Sequence, residues 1–155
     1  MEFSPQQISY GIRRLAKAPR RILVIDDDAS VGAAIQAVLG RHRYQTVLAS
    51  RASDGIQTLR QSHFDLVMLD LFTPGLNGLD ALDRIRRDFS IPVIVMSGFR
   101  LRNSAQPTDY LAIAAERGAT LCMRKPFTAT ELTEAVEWTT SLRNPGERLV
   151  VDGDR

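Results

Sequence analysis

The sequence contains very few of the residues that mark secreted, membrane-spanning or histidine-ligated metal proteins. Its 155 residues include one cysteine, Cys122, and two isolated histidines, His42 and His63, to which we assign no metal or catalytic role. A single cysteine cannot form an internal disulfide, which excludes a disulfide scaffold and is typical of a reducing cytoplasm. No stretch approaches the roughly 18 apolar residues of a membrane span, and the N-terminus lacks the apolar segment of a signal peptide. We therefore expect a cytoplasmic protein with no membrane span.

The loops and charge patterns of nucleotide- and nucleic-acid-binding proteins are also missing. Neither a G-x-G-x-x-G turn nor a G-x-x-x-x-G-K-[ST] loop follows any apolar run. The pI near 9 would suggest a nucleic-acid partner. However, residues 1–21 hold five of the 20 basic residues and only one of the 18 acidic ones, so the remaining chain is slightly acidic. The body of the chain is therefore not predicted to be a DNA-binding surface.

Length and hydrophobic pattern predict one α/β domain. A chain of 155 residues with 44% hydrophobic residues can bury its own core. Stretches with helical period separate short apolar, β-branched runs at residues 22–25, 46–49, 66–69, 91–96 and 119–123. Gly118 suits a left-handed helix end, and Thr128-x-x-Glu131 is a capping box that starts the last helix near residue 129. We predict a doubly wound α/β fold with a five-stranded parallel sheet, in the flavodoxin-like order 2-1-3-4-5, and helices on both faces.

Acidic residues follow two strands that are neighbours in this order. Asp26, Asp27 and Asp28 come directly after the first apolar run, and Asp70 ends the third. Because the carboxyl ends of neighbouring parallel strands share one pocket, these carboxylates would repel one another unless a cation joined them. A hard divalent ion such as Mg²⁺ suits such a site. For Asp28 alone we favour a helix N-cap, and for the other three together we favour a metal site.

A hydroxyl and an ammonium follow the last two strands. Ser97 comes at the end of the fourth strand, and Lys125 ends the fifth, just before Pro126. A serine after a strand is most often a turn residue and a lone lysine is usually solvated. At the ends of adjacent strands, however, both groups would face the acidic pocket and could donate to phosphate oxygens. Together with a carboxylate nucleophile and a divalent ion, they are the parts needed to accept a phosphoryl group.

In this arrangement the sequence resembles the receiver domains of bacterial two-component response regulators. The resemblance covers about residues 20–143 and rests on four motifs in order. They are the acidic pair Asp26-Asp27, the phosphoacceptor loop from Asp70 through Pro74-Gly75 to Asn77-Gly78, the hydroxyl segment Val95-Met96-Ser97-Gly98, and the closing motif Gly118-Ala119 with Lys125-Pro126-Phe127. Each motif alone is weak, but four in order at strand ends are highly specific.

The resemblance implies a role for each matching residue. Asp70 would take a phosphoryl group from a sensor histidine kinase or a phosphotransfer protein, forming an aspartyl phosphate. Asp27, Asp70 and the backbone carbonyl of Phe72 would ligate Mg²⁺, with Asp26 acting through water. The chain would be a phosphoacceptor rather than an enzyme, with at most self-catalysed phosphorylation and dephosphorylation.

The same resemblance implies a two-state switch. Ser97 would close onto the phosphoryl oxygens and Lys125 would pair with them, after a cis peptide bond to Pro126 has aimed the ammonium into the site. This would bias the loop after the fourth strand and change the contacts made with a downstream protein target, whose identity the sequence does not give.

Three features depart from the family pattern. Cys122 stands where receivers commonly carry an aromatic switch residue, and we interpret it as a small strand residue rather than a redox sensor. The segment 98–117 is longer than is usual, which predicts a remodelled or shortened fourth helix. Phe72 and Phe99 would flank the phosphoryl group. They would either hinder the attacking water and lengthen the phosphorylated lifetime, or simply pack on their loops.

The flanks divide the chain into three parts. Residues 1–19 form a basic N-terminal arm with Ile8, Ile12 and Leu15 at helical spacing, which predicts either a short docked helix or a solvated tail. Residues 20–143 would be the receiver domain and 144–155 a C-terminal tail. Because the tail is too short for a second domain, we expect no DNA-binding domain and a signal passed to a separate partner.

Two other functions compete with phosphoacceptance. A haloacid-dehalogenase-type phosphatase would need a second acid two residues after the nucleophile, where Phe72 stands, so we disfavour it. A receiver-like interaction module that works without phosphorylation is permitted by Cys122. Retention of the acids, Ser97 and Lys125 argues against it.

Overall fold

The computed structural model describes residues 19–73, 75–98 and 109–142, in which strands and helices alternate. The strands are β1 (Arg21–Ile25), β2 (Gln45–Ala49), β3 (Leu66–Asp70), β4 (Val93–Gly98) and β5 (Leu121–Lys125). The helices are α1 (Ala29–Arg41), α2 (Ala52–Gln61), α3 (Gly78–Asp88), α4 (Tyr110–Glu116) and α5 (Ala129–Ser141). This alternation confirms the predicted α/β fold class.

The strands form one parallel sheet in the order β2-β1-β3-β4-β5, as the sequence predicted. Every residue of β3 is buried, and β1 and β4 are buried at all but one end residue. Strands that are covered by helices on both faces need apolar side chains in both directions. That requirement explains why the central strands appear in the sequence as continuous apolar runs rather than as alternating patterns.

Alternate residues of each strand feed two separate cores. Leu23 and Ile25 of β1 point to the face covered by α2, α3 and α4, whereas Ile22 and Val24 point to the face covered by α1 and α5. The buried helix residues that close the two cores include Ile56, Leu82 and Ala114 on the first face and Ile35, Leu39, Leu132 and Val136 on the second. The burial of each such aliphatic side chain stabilises the fold by about 2 kcal/mol, so the cores on both faces of the sheet contribute to its stability.

The helix ends confirm several expectations. The Asp28 side chain accepts hydrogen bonds from the backbone N–H groups of Ser30 and Val31, which makes it the N-cap of α1. Thr128 and Glu131 form the predicted capping box at the start of α5. Gly118 follows α4 with a φ of +94°, a left-handed conformation that glycine adopts without a steric penalty.

The last two strands lie later in the chain than their apolar runs suggested. Strand β4 begins at Val93, and β5 begins at Leu121. Pro92 has no N–H to donate to a ladder, and Thr120 donates its N–H to Val93 while its side-chain oxygen accepts from the N–H of the same residue. Pairing rather than hydrophobicity therefore sets the strand ends. Lys125 is the last residue of β5, whereas Ser97 is the next-to-last residue of β4, which ends at Gly98.

Several expectations concern segments that lie outside the described residues. These are the N-terminal arm through residue 18, Phe99 and the rest of 99–108, and the tail from residue 143 onward. The boundaries at 1–19, 20–143 and 144–155 therefore stay predictions. The described part of the fourth helix, α4, has seven residues, which agrees with the expectation of a shortened helix. Within the described ranges, no helix is long and apolar enough to cross a membrane.

Candidate functional site

The ends of β1, β3 and β5 bring the predicted site residues to one edge of the sheet. Ile25 of β1 pairs with Leu69 of β3, so Asp26 and Asp70 follow at the same level. Lys125 is the last residue of β5, and its long side chain reaches back toward β1 and β3. Because all strands are parallel, these carboxyl ends meet at the same edge, as predicted.

A single ammonium lies between two buried carboxylates at this edge. The Lys125 Nζ donates to Asp26 Oδ2 at 2.5 Å and to Asp70 Oδ2 at 3.3 Å. The side chain of Asp26 is 0% exposed, that of Asp70 8% and that of Lys125 18%. Ionic hydrogen bonds in such a desolvated setting are stronger than at the surface. The peptide bond from Lys125 to Pro126 is cis, as the family resemblance implied.

Each of the two carboxylates also accepts a backbone hydrogen bond. Asp26 Oδ1 accepts from the N–H of Asp28 at 2.9 Å, and Asp70 Oδ1 accepts from the N–H of Phe72 at 3.1 Å. Burial raises the pKa of Asp70 above its ordinary value, and the nearby Asp26 charge adds to the rise. Lys125 and the Phe72 N–H act in the opposite direction without cancelling it. Asp70 is therefore a carboxylate whose negative charge is incompletely compensated.

The acidic residues are close enough to hold one cation. Carboxylate oxygens of Asp26, Asp27 and Asp70 lie within 4.8 Å of one another. Asp26 and Asp70 are buried, whereas Asp27 is exposed and opens the cluster to water. A set of oxygen donors with one side open to water fits Mg²⁺, which keeps part of its hydration shell when it binds proteins. The donor set therefore fits the predicted metal.

Ser97 reaches the same edge but has a local partner. Asp70 pairs with Met96 across β3 and β4, so Ser97 lies one residue beyond that pair. Ser97 is buried, with 7% of its surface exposed, and its Oγ donates a long hydrogen bond of 3.3 Å to the carbonyl oxygen of Gly98. A hydrogen bond of that length is weak, so the hydroxyl can exchange this partner for a stronger acceptor.

An aromatic contact that sequence reasoning missed joins the acidic edge to α4. The half-buried Phe72 ring meets the Tyr110 ring edge-on, with centroids 5.2 Å apart and planes at 85°. This geometry is a favoured one for aromatic pairs. Because Tyr110 lies far from Phe72 in sequence and follows no motif, no local signal indicates the pair. Phe99, which was predicted to flank the phosphoryl group together with Phe72, lies outside the described residues.

Cys122 has a structural setting rather than a reactive one. It is half-buried, and its Sγ donates to the carbonyl oxygen of Leu111 at 3.5 Å. Burial raises the pKa of the thiol, with a further contribution from the Asp109 charge. Since the thiolate is the reactive form, a raised pKa disfavours redox chemistry. The contact instead ties β5 to α4 at the position where the family carries its switch residue.

The topology and the acidic edge together match a known family. Residues 22–137 match the model of the family described as "Response regulator receiver domain". The chain belongs to this family. It is therefore the receiver domain of a two-component response regulator, as the sequence resemblance indicated. Membership also disfavours the phosphatase alternative, which belongs to another family.

The relatives of this receiver domain include longer regulators. It is 32% identical over 117 residues to the DNA-binding response regulator MtrA of Mycobacterium tuberculosis, covering 76% of this chain and 49% of MtrA. It is 31% identical over 112 residues to the transcriptional activator protein PfeR of Pseudomonas aeruginosa, covering 72% of this chain and 35% of PfeR. The aligned part thus spans half or less of the length of these relatives.

Solved receiver structures share the fold. A response regulator receiver domain protein from Clostridium thermocellum superposes with a TM-score of 0.71 at 27% identity, covering 80% of this chain and 96% of that one. The receiver domain of NtrX from Brucella abortus gives a TM-score of 0.69 at 28% identity, covering 77% and 98%. The receiver fold is therefore supported by both sequence and structural comparison.

Proposed function

We propose that Asp70 is the phosphoacceptor of this receiver domain and that its phosphorylation switches contacts with other proteins. The observation that carries the proposal is the Lys125 ammonium, which lies 3.3 Å from Asp70 inside a cluster of three carboxylates. Such a cluster leaves the negative charge of Asp70 poorly compensated, next to a cation that can follow a transferred phosphoryl group.

The transfer needs one bond made and one broken. An Asp70 carboxylate oxygen attacks phosphorus, and an O–P bond forms while the P–N bond of a donor phosphohistidine breaks and the imidazole leaves with its electron pair. Asp26, Asp27, Asp70 and the Phe72 carbonyl would hold Mg²⁺, which supplies positive charge to balance the phosphoryl oxygens. The chain thus acts as a phosphoacceptor that assists its own modification, not as an enzyme on other substrates.

The proposed switch depends on two hydrogen-bond donors, Lys125 and Ser97, that would change partners on phosphorylation. Lys125 divides its ammonium between Asp26 and Asp70, and the Ser97 hydroxyl holds only a weak local bond. A phosphoryl group would offer both donors a stronger, more highly charged acceptor. Any movement of the Phe72 backbone would then reach α4 through the Tyr110 ring. In this proposal the aromatic pair does the coupling that an aromatic at position 122 would do in other receivers.

The proposed partners are a cytoplasmic histidine kinase or phosphotransfer protein upstream and a protein target downstream. Family membership supports the upstream donor, since two-component receivers exchange phosphoryl groups with such proteins. MtrA and PfeR are by name a DNA-binding regulator and a transcriptional activator. By analogy with these relatives, the signal that this chain receives would end in a change of transcription.

Acetyl phosphate provides the direct test. The full chain is incubated with acetyl phosphate, with and without Mg²⁺, and examined by intact mass and peptide mapping. We expect a single phosphoryl adduct on Asp70 that requires the metal and disappears in Asp70→Asn. Asp28→Asn is the matched control, because Asp28 caps α1 and asparagine caps equally well. Full labelling of Asp70→Asn would contradict the proposal.

One alternative function has a distinct outcome in the same experiment. A receiver-like module that binds its partner without phosphorylation would show no adduct with acetyl phosphate or with any phosphorylated kinase. Its acid cluster would still bind Mg²⁺, which calorimetry would detect. The phosphoacceptor is the better-supported function because Asp70, Lys125 and the Asp26–Asp27 pair are all retained and brought together.

A further inference from the structure

Helix α1 lacks the charged outer face that exposed helices normally have. Its exposed positions are occupied by alanine, serine, glutamine and glycine, and its only charged residue is the last, Arg41. Helix α3 in the same domain, by contrast, has six charged residues among its 11. Because a solvent-exposed helix face is usually charged or strongly polar, the outer face of α1 is suited to contact another apolar surface.

An apolar groove lies beside this face. It has a volume of about 450 Å³ and separates α1 from the start of α5. The wall on the α1 side is made by Val31, Ala34, Ile35 and Val38, and the opposite wall includes Phe127 and Leu132. The α1 positions follow the i, i+3, i+4, i+7 spacing of a helical stripe, the pattern that receives the apolar side of a second helix.

We propose that the N-terminal arm, residues 1–18, docks in this groove as an amphipathic helix. Ile8, Ile12 and Leu15 are spaced i, i+4, i+7, so a helix would present all three on one side. From the first to the last of them the helix would rise about 10 Å, equal to the rise from Val31 to Val38 along α1. The proposal does not depend on phosphorylation of Asp70.

The arm leaves the domain at a suitable point. The N–H of Gln45, just after the end of α1, donates to the carbonyl oxygen of Arg20 at 2.9 Å. The chain preceding Arg20 therefore starts beside the C-terminal end of α1, and Val38 lies about one turn from that end. A helix leading back from Arg20 places Leu15 at the near end of the groove and Ile8 at the far end, without a long linker.

The polar side chains of the arm suit the outside of such a contact. In a helix Arg13, Arg14 and Lys17 would lie on the side opposite the apolar stripe of Ile8, Ile12 and Leu15 and would stay in water. The glutamates Glu131 and Glu134 of α5 line a separate cavity and do not face the groove. Since Lys125 also lines the groove, a docked arm would sit at the flank of the phosphoacceptor site.

Protection of the arm from trypsin tests the docking in the full chain. The arm has cleavage sites after Arg13, Arg14 and Lys17, and a synthetic peptide of residues 1–18 gives their unprotected rate. We expect the intact protein to be cleaved there at least about tenfold more slowly than the peptide, since cleavage follows the undocked population. Ala34→Glu, which puts a charge in the groove wall, should restore the peptide rate.

The matched control is Ala33→Glu on the same helix. Ala33 is exposed but does not line the groove, so its substitution adds the same charge and should leave the protection intact. Circular dichroism and thermal unfolding establish that both variants are folded. Equal cleavage rates for the wild-type arm and the free peptide would overturn the proposal, and so would equal effects of the two substitutions.

Disulfide trapping identifies the occupant. In a Cys122→Ser background, Ile12→Cys with Ala34→Cys should form an intramolecular disulfide, whereas Ile12→Cys with Gln36→Cys should not, because Gln36 bonds to Thr46 on the other side of α1. A disulfide formed only between two chains, together with concentration-dependent trypsin protection, would assign the groove to a second copy and overturn docking of the chain's own arm.

Discussion

The two edges of the parallel sheet handle charge in opposite ways. At the amino edge, the Asp65 carboxylate accepts from the backbone N–H of Arg21 at 2.8 Å. The Arg21 guanidinium donates to the His63 carbonyl at 3.0 Å and lies 4.6 Å from the centre of the Phe64 ring. At the carboxyl edge, by contrast, three carboxylates lie close together and the ammonium of Lys125 contacts only two of them, Asp26 and Asp70.

This difference separates a structural edge from a candidate functional one. The charged groups described at the amino edge have partners, which is the usual state of polar groups in a folded protein. The carboxyl edge keeps an excess of negative charge in a mostly buried place, at a cost in folding free energy. Among the described residues, buried hydroxyl oxygens without a hydrogen-bond partner occur near both edges, at Thr73 and at Thr46, so the excess negative charge is what distinguishes the carboxyl edge. Uncompensated charge of this kind is expected where a ligand completes the site.

Removing Lys125, the cation that the described residues place between the acids of the carboxyl edge, should have the largest effect. In EDTA, Lys125→Met should lower the free energy of unfolding by about 3 kcal/mol, because it leaves buried carboxylates without a partner. Urea denaturation measures the change. Adding Mg²⁺ should recover part of the loss, and Arg124→Met, at the exposed neighbouring position, should change little. A loss that Mg²⁺ does not reduce would mean that the acids do not act as one cation site.

A substitution at the amino edge should be destabilising but insensitive to metal. Asp65→Ala removes the carboxylate that accepts from the Arg21 N–H, and an ionic hydrogen bond of this kind contributes about 1.5 kcal/mol. Urea denaturation with and without Mg²⁺ should give the same loss. If Mg²⁺ altered that loss, the division between the two edges would be wrong.

Neutralising Asp70 should raise the free energy of unfolding, in contrast to the two substitutions above. Since the pKa of Asp70 is raised above 3.8 in the folded chain, the folded state holds that proton more tightly than the unfolded state. Ionisation of Asp70 therefore lowers the free energy of unfolding. The full loss is present above the pKa of the folded state, and none of it remains well below 3.8. In EDTA at neutral pH, Asp70→Asn should raise the free energy of unfolding by about 1 kcal/mol. The gain should vanish as the pH falls through this window, and a gain that persisted in acid would exclude the charge explanation.

The aromatic contact should matter least for stability and more for the switch. Tyr110→Leu removes the edge-on partner of Phe72 and should lower the free energy of unfolding by only about 0.5 kcal/mol. If the pair couples the acceptor loop to α4, the same variant should change hydrogen exchange in α4 between the free and phosphorylated states. Tyr110→Phe keeps the ring and is the control. Identical exchange changes in wild type and Tyr110→Leu would remove the pair from the proposed switch.

The sequence predicts the strand order and the membership of the acidic edge because both depend on local patterns. Buried strands such as β3 leave apolar runs, and parallel topology then brings the residues after them to one edge. The hydrogen bonds within the carboxyl edge cannot be predicted from the sequence in the same way. Nothing in the sequence indicates that Lys125 lies closer to Asp26 than to Asp70, since that depends on side-chain packing across three strands.

Contacts between elements that are distant in the sequence could not be predicted either. The Phe72–Tyr110 pair and the groove between α1 and α5 arise only when helices pack on the sheet. The shifted starts of β4 and β5 have a related cause, because hydrophobicity marks burial whereas pairing marks strand ends. Local signals therefore predicted which residues meet at the carboxyl edge, and tertiary packing determined which hydrogen bonds they form.

The position of the Lys125 ammonium between two acids also limits how this sequence can change over evolutionary time. A substitution at Asp26 releases the lysine to Asp70, and a substitution at Asp70 releases it to Asp26, so the effect of each depends on the other. Positions 26, 70 and 125 should therefore tolerate coordinated replacement better than single replacement. Exposed Asp27, which has no such shared partner among the described residues, should accept change more independently.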